Sequence, residues 1–148
     1  MTHAPVPVPS VVADPDGSRR AEVLTNLRGF NRRHAPDPMW EPLTIIADLP
    51  DGSLAGGLVG EFGWGWLHVD LLWVADAGRG RGLGSALLRA AEVQARGRDC
   101  VGIYLDSFDF QAPGFYLKQG FSVFGVLEDF PPGSRQTFLS KRFVPAGR

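Results

Sequence analysis

Residues 74–85 read Val-Ala-Asp-Ala-Gly-Arg-Gly-Arg-Gly-Leu-Gly-Ser, with glycine at 78, 80, 82 and 84 and arginine at 79 and 81. That pattern suits an anion. The segment follows an apolar run, Trp66 to Val74, and opens a stretch of helical periodicity from Gly82 to about Arg96. The first turn of a helix carries N–H groups with no acceptor inside the helix, and a partial positive charge. Glycine there lets a phosphate oxygen approach the main chain without a Cβ in the way. Arg79 and Arg81 add charge, and Ser85 adds a hydroxyl. Two other phosphate patterns are excluded. No Gly-Lys-Ser/Thr ending makes a P-loop, and the spacing is not Gly-x-Gly-x-x-Gly feeding a run of parallel strands. Taken alone, the loop leaves one alternative, a plain connecting turn.

Three groups with proton-transfer chemistry precede the loop. His68 and Asp70 alternate on one face of the Trp66–Val74 run, and Glu61 stands on the run before it. A histidine beside a carboxylate accepts a proton near neutral pH; a hydrated strand face on which the two pair with each other is the competing reading. Cys100 is the single cysteine, so no internal disulfide or cysteine-based zinc site can form, and no metal is expected. It begins an apolar run and reads as a small buried residue. Asp106 and Ser107, at the end of a run, either reach a cleft or shape a turn.

The elements that hold these groups follow from periodicity and turn chemistry. Val6–Val12 is at best an edge strand, given its prolines. Ser18 is a candidate cap for a helix to about Arg33, with Val23, Leu24, Leu27 and Phe30 as its buried stripe. Leu43–Leu49 and Leu54–Phe62 read as strands joined at Asp51-Gly52, a hairpin signal, and glycines 56, 57 and 60 suggest a bulge or a close neighbour. Gly63-Trp64-Gly65 turns the chain into the Trp66–Val74 strand. The helix that follows has a dry face of Leu83, Leu87, Leu88, Ala91 and Ala95 and a wet face of Ser85, Arg89, Glu92 and Arg96. Cys100–Ser107 is a strand and Ala112–Gln119 a short helix ended by Gly120. Phe121–Leu127 and Gln136–Phe143 form a last pair of strands. The expected class is α+β, a mostly antiparallel sheet of six to seven strands with one parallel pair and three to four helices, in a single domain over residues 1–148 with loose tails at 1–5 and 145–148.

Arg79-x-x-Gly82-x-Gly84 resembles the pyrophosphate signature of the GNAT acetyltransferases. Downstream, Ala112-Pro113-Gly114-Phe115-Tyr116-Leu117-Lys118-Gln119-Gly120-Phe121 is similar to that family's Ala-x-x-x-Tyr-x-x-x-Gly-Phe segment. The resemblance covers about Leu43 to Phe143. It implies that main-chain N–H groups from Gly80 through Arg81, Gly82, Leu83 and Gly84 to Ser85 wrap the diphosphate of acetyl-CoA. It also implies that the strand bearing Leu72, Trp73 and Val74 is splayed from its neighbour, with a main-chain donor there for the acetyl oxygen. Tyr116 matches the tyrosine that protonates the departing thiolate. His68 falls where some members place a catalytic glutamate, which leaves His68, Asp70 and Glu61 as alternative bases beside a water chain. Asp109 stands where many members have asparagine, so no role is carried over to it.

The net charge is −1, which gives no global field toward nucleic acid or an anionic membrane. No membrane span and no signal peptide are legible, and a cytoplasmic protein is expected. The acceptor is expected to be a small-molecule amine, bound across the sheet from the coenzyme among the first helix and its following loop, Trp64, Trp66 and the Glu128–Arg135 loop. Glu61, Asp70, Glu128 and Asp129 would make that cleft acidic, and aromatics would add cation–π contacts. A homodimer is expected by analogy. The competing readings are acetylation of protein amino groups and a non-catalytic acyl-CoA-binding module.

Overall fold

The computed structural model describes residues 3–143. By internal contacts the chain forms two compact units, one up to Asp37 and one from Pro38. Residues 1–2 and 144–148, including the expected tail from Pro145, lie outside the described residues.

The first unit contains α1, Ser18–Arg32. Ser18 does not cap it. The N-cap is Gly17, with φ 71°, and the Asp14 carboxylate, four residues ahead of the helix, accepts the N–H groups of Arg19 at 3.0 Å and Arg20 at 2.9 Å. A full negative charge at the positive end of the helix is the better cap, and those two bonds hold the Asp14 carboxyl below its usual range. Among the described residues of this unit, Val23, Leu24, Leu27 and Phe30 meet no second helix or strand of the same unit. Val6–Val12 forms no strand; Pro7 and Pro9 have no N–H for a ladder.

The second unit is built on a six-stranded sheet. Its strands are β1 (Glu41–Asp48), β2 (Leu54–Gly63), β3 (Trp66–Val74), β4 (Gly102–Phe108), β5 (Ser122–Glu128) and β6 (Arg135–Arg142), in spatial order β1-β2-β3-β4-β6-β5. Helix α2 (Leu83–Gly97) links β3 to β4 and α3 (Gly114–Lys118) links β4 to β5. The class matches the α+β expectation, and all pairs are antiparallel except β3 with β4. Asp51-Gly52 makes the first hairpin turn, with Gly52 at φ 85°. Trp64-Gly65 makes the second, with φ 47° and 77°. Two consecutive left-handed residues match the twist of a two-residue hairpin. Tryptophan has no intrinsic preference for that region, and holding it there costs about 1–2 kcal/mol.

One face of the sheet carries the core. Leu58, Leu67, Ile103 and Leu139 are fully buried beneath Leu87, Leu88, Ala91 and Ala95 of α2. Two polar ties fix that helix. Glu92 accepts from Lys141 of β6 at 2.7 Å and from Arg96 at 2.8 Å. Arg98 bonds both oxygens of Glu41, at 2.8 and 3.1 Å, with its guanidinium over the Phe62 ring.

The parallel pair is short. Trp66 pairs with Gly102, Leu67 with Ile103 and His68 with Tyr104, and the ladder ends there. Beyond His68, β3 keeps its pairing with β2 up to Val74 but leaves β4. The departure coincides with a bulge. Val59 pairs with Leu71 and Gly60 with Val69, so Asp70 is the extra residue, and an extra residue bends the strand. Gly60 permits it, because a Cβ there would fall onto the His68 carbonyl.

Burial alone would raise the Glu92 carboxyl, but the bonds and charges of Lys141 and Arg96 outweigh it and hold the group below the usual glutamate range. A depressed folded-state pKa contributes stability above the unfolded value and loses it as pH falls through the folded one. Glu92→Gln is therefore expected to cost about 1.5–3 kcal/mol at pH 7, with the gap to the parent closing below about pH 4; thermal melts of both proteins from pH 3 to 8 check it.

Candidate functional site

After β3 the chain makes a 3₁₀ turn, Asp76–Gly78, then passes through Gly80 (φ 74°) and Gly82 (φ 78°) into α2. A side chain at either glycine would meet open space, so the requirement is conformational rather than steric. Gly82 occupies the N-cap and offers no side chain to the helix end. The N–H groups of Leu83, Gly84 and Ser85 thus open a 15-residue helix with nothing of its own to bond. Arg79 is exposed and held at 3.2 Å from Asp76. These N–H groups stand beyond the point where β3 and β4 part.

The second motif lies against the first. A Cβ on Gly84 would come within 3.2 Å of the Phe115 ring, so glycine lets α3 rest on the first turn of α2. Gln119, at the end of α3, donates from its amide to the Ser85 hydroxyl at 2.9 Å. That bond uses an acceptor lone pair of Ser85 and leaves its proton for another partner. Gln119 was not singled out from the sequence, since a polar residue at a helix end ordinarily faces water.

Between these two contacts stands Tyr116, buried in the core cluster, edge-on to Phe115 and Phe121. Burial first, and the Asp106 charge second, push its hydroxyl above the ordinary tyrosine range. Tyr116 therefore keeps its proton through neutral pH. Asp106 is tied to Gln136 at 2.9 Å and Ser107 is buried. Asp109 bonds Arg135 at 3.4 Å on the surface. Burial pushes the Cys100 thiol up, so it is no ready nucleophile.

The three candidate bases are not equivalent. Glu61 and His68 face each other across β2 and β3, and the row continues through Tyr104 to Ser140. His68 stacks on Tyr104 with ring centroids 4.6 Å apart. This row floors a cleft of about 570 Å³. Trp66 edges Tyr104, and Trp40 and Trp64, with centroids 5.7 Å apart, form a wall. Trp40 lies over Gly63, where any Cβ would collide with the indole. Asp70 is exposed at the bulge and does not line the cleft, so simple alternation from His68 does not carry it there. Trp64 and Trp66, expected at the acceptor, are in the cleft; Asp129 and Glu128 are not among its lining residues. Trp40 comes from the loop after the first helix, which was expected at the acceptor; Tyr104 and Ser140 were not anticipated. Among the described residues no cluster of His, Cys, Asp and Glu is arranged to hold a metal ion, and no helix is long and apolar enough to cross a membrane.

The model of the acetyltransferase (GNAT) family matches residues 19–121. Blasticidin-S acetyltransferase of Streptomyces morookaense is 50% identical over 113 residues, covering 74% of this chain and 83% of that protein. An acetyltransferase of Agrobacterium fabrum is 38% identical over 137 residues, covering 90% and 96%. The crystal structure of a Bacillus cereus acetyltransferase superposes with a TM-score of 0.84 at 32% identity, covering 90% of this chain and 98% of that one.

The contact between the two motifs is testable apart from any reaction. Gly84→Val must displace Phe115 and is expected to cost about 1–3 kcal/mol, a fall of several degrees in melting temperature. Gly84→Ala is expected to be nearly neutral, because relief of glycine's helix penalty offsets a contact of 3.2 Å with a ring. Thermal melts of the two variants check the order.

Proposed function

This chain belongs to the acetyltransferase (GNAT) family, and on that premise we propose that it transfers the acetyl group of acetyl-CoA directly to a primary amine of a small molecule. The observation that carries the reading is the meeting of the two motifs. The loop of residues 79–85 and the helix of Tyr116 touch through Gly84–Phe115 and Ser85–Gln119, beside the gap where β3 leaves β4. The similarity to an enzyme named for blasticidin S, a small molecule, supports the small acceptor.

In this reading the diphosphate sits on the N–H groups at the start of α2, with Arg79 and Arg81 turned to it, and the Ser85 proton is free to join them. The pantetheine arm enters the gap between β3 and β4. Main-chain N–H groups near Leu72–Val74 donate to the acetyl oxygen as it gains charge. A cationic acceptor first gives one proton to solvent, and the neutral amine nitrogen then attacks the carbonyl carbon; a C–N bond forms and the C–S bond breaks. The surplus proton on nitrogen leaves to His68, with Glu61 opposite it to stabilise the imidazolium, and the thiolate departs with the proton of Tyr116. The raised pKa of Tyr116 suits a donor that must be loaded at neutral pH.

Calorimetric titration with acetyl-CoA is expected to show saturable binding that Arg79→Ala and Gly82→Trp weaken; no binding to the parent protein would remove the reading. Tyr116→Phe is expected to lower kcat by about 10²-fold or more while leaving coenzyme affinity within a few-fold. Asp106 raises the Tyr116 pKa. Asp106→Asn is therefore expected to leave the rate at pH 7 unchanged and to move the high-pH limb of the kcat profile, above about pH 10 in the parent, toward lower pH.

A further inference from the structure

We infer that the cleft over the Glu61–His68–Tyr104 row is the acceptor site, and that its ligand is a cationic amine carrying a flat ring. The inference rests on the acetyl-transfer reading for its chemistry but on separate observations for its place and selectivity.

Place comes from register. The cleft floor includes His68 and Tyr104, which form the last rung of the parallel ladder. Past that rung the strands part. A ligand in the cleft and a thioester in the gap therefore meet at the same rung, with the His68 ring beside both. The size suits a small molecule, since ligand pockets run from about 300 to 1,000 Å³.

Selectivity comes from the walls. Trp40, Trp64 and Trp66 with Tyr104 present aromatic faces, and Glu61 supplies a carboxylate. Aromatic faces attract a cation through their quadrupole and stack on a flat ring, and a carboxylate opposes any acidic ligand. Trp64 adds a second line of evidence. It sits at φ 47° in a two-residue turn, where asparagine or glycine is the favoured residue, and 46% of it is exposed. A large aromatic kept in strained backbone and half exposed does not serve the turn. It serves what lies against it, and here that is Trp40 and the cleft. The aromatic walls and the strained tryptophan together commit the cleft to an aromatic amine.

The test uses the full chain and three probes: tryptamine, hexylamine, and indole-3-acetate, which keeps the ring and reverses the charge. Calorimetry is expected to show saturable tryptamine binding at least 10-fold tighter than hexylamine, and none for indole-3-acetate. Glu61→Gln and Trp64→Asn are expected to weaken tryptamine by 10-fold or more. Trp64→Asn should do so with an unchanged or raised melting temperature, since asparagine suits the turn. Equal affinity for the three probes, or unchanged tryptamine affinity in both folded variants, would overturn the site. Thiol release from acetyl-CoA in the presence of tryptamine separates the two claims. Binding without release retains the cleft and rejects the transfer reading, whereas release unaffected by both variants retains transfer and rejects the cleft. Efficient acetylation of a lysine peptide that neither variant slows would also reject the cleft as acceptor site.

Discussion

Everything at the site depends on three rungs of parallel pairing. A β-sheet that paired β3 and β4 along their whole length would consume the main-chain donors of both and leave no passage between its faces. Here the ladder stops at His68–Tyr104, and the cause is local. Asp70 is inserted against the Val59–Gly60 step, and only glycine at position 60 tolerates the His68 carbonyl so close. The bulge thus converts one extra residue into a wedge-shaped opening. The crossover that must follow a parallel pair brings the start of α2, with its unbonded N–H groups, to the wide end of that opening. The gap and the unbonded helix start are consequences of the same short stretch of chain.

How much of this was legible in the sequence depends on which distance was needed. Local patterns served well. Leu87, Leu88, Ala91 and Ala95 of the dry face of α2 are buried as the 3.6-residue period required, with Leu83 half-buried against them, and the glycines of β2 mark the bulge and the close approaches expected of them. The Glu61–His68 pairing was not legible, because the sequence reads as a Gly63-Trp64-Gly65 turn, whereas Gly63 pairs with Trp66 and only Trp64-Gly65 turn the chain. Non-local relations were not available. Periodicity tells which residues share a face, not which strand lies beside which, so Tyr104 and Ser140 could not be placed next to His68. Gln119 was invisible for the same reason: its partner is 34 residues away. The Asp14 cap was missed because capping rules look at the residue adjoining the helix, whereas this carboxylate reaches in from the fourth residue before it.

The division of labour between the two faces of the sheet gives the proposed chemistry its direction. Tyr116 belongs to the buried cluster beneath α2, while Glu61 and His68 stand in the row that floors the open cleft. Acyl transfer needs the incoming nitrogen to lose a proton and the outgoing sulfur to gain one, at positions on different sides of the carbonyl carbon. A proton acceptor that can exchange with solvent belongs on the open side. A donor that must hold its proton until the thiolate forms belongs in an environment that penalises its anion, as burial and Asp106 do for Tyr116. A closed sheet would keep such a pair apart, and a loose one would let water hydrolyse the thioester. Three paired rungs followed by a parting lie between those limits, so the register of β3 on β4 governs access to both faces at once.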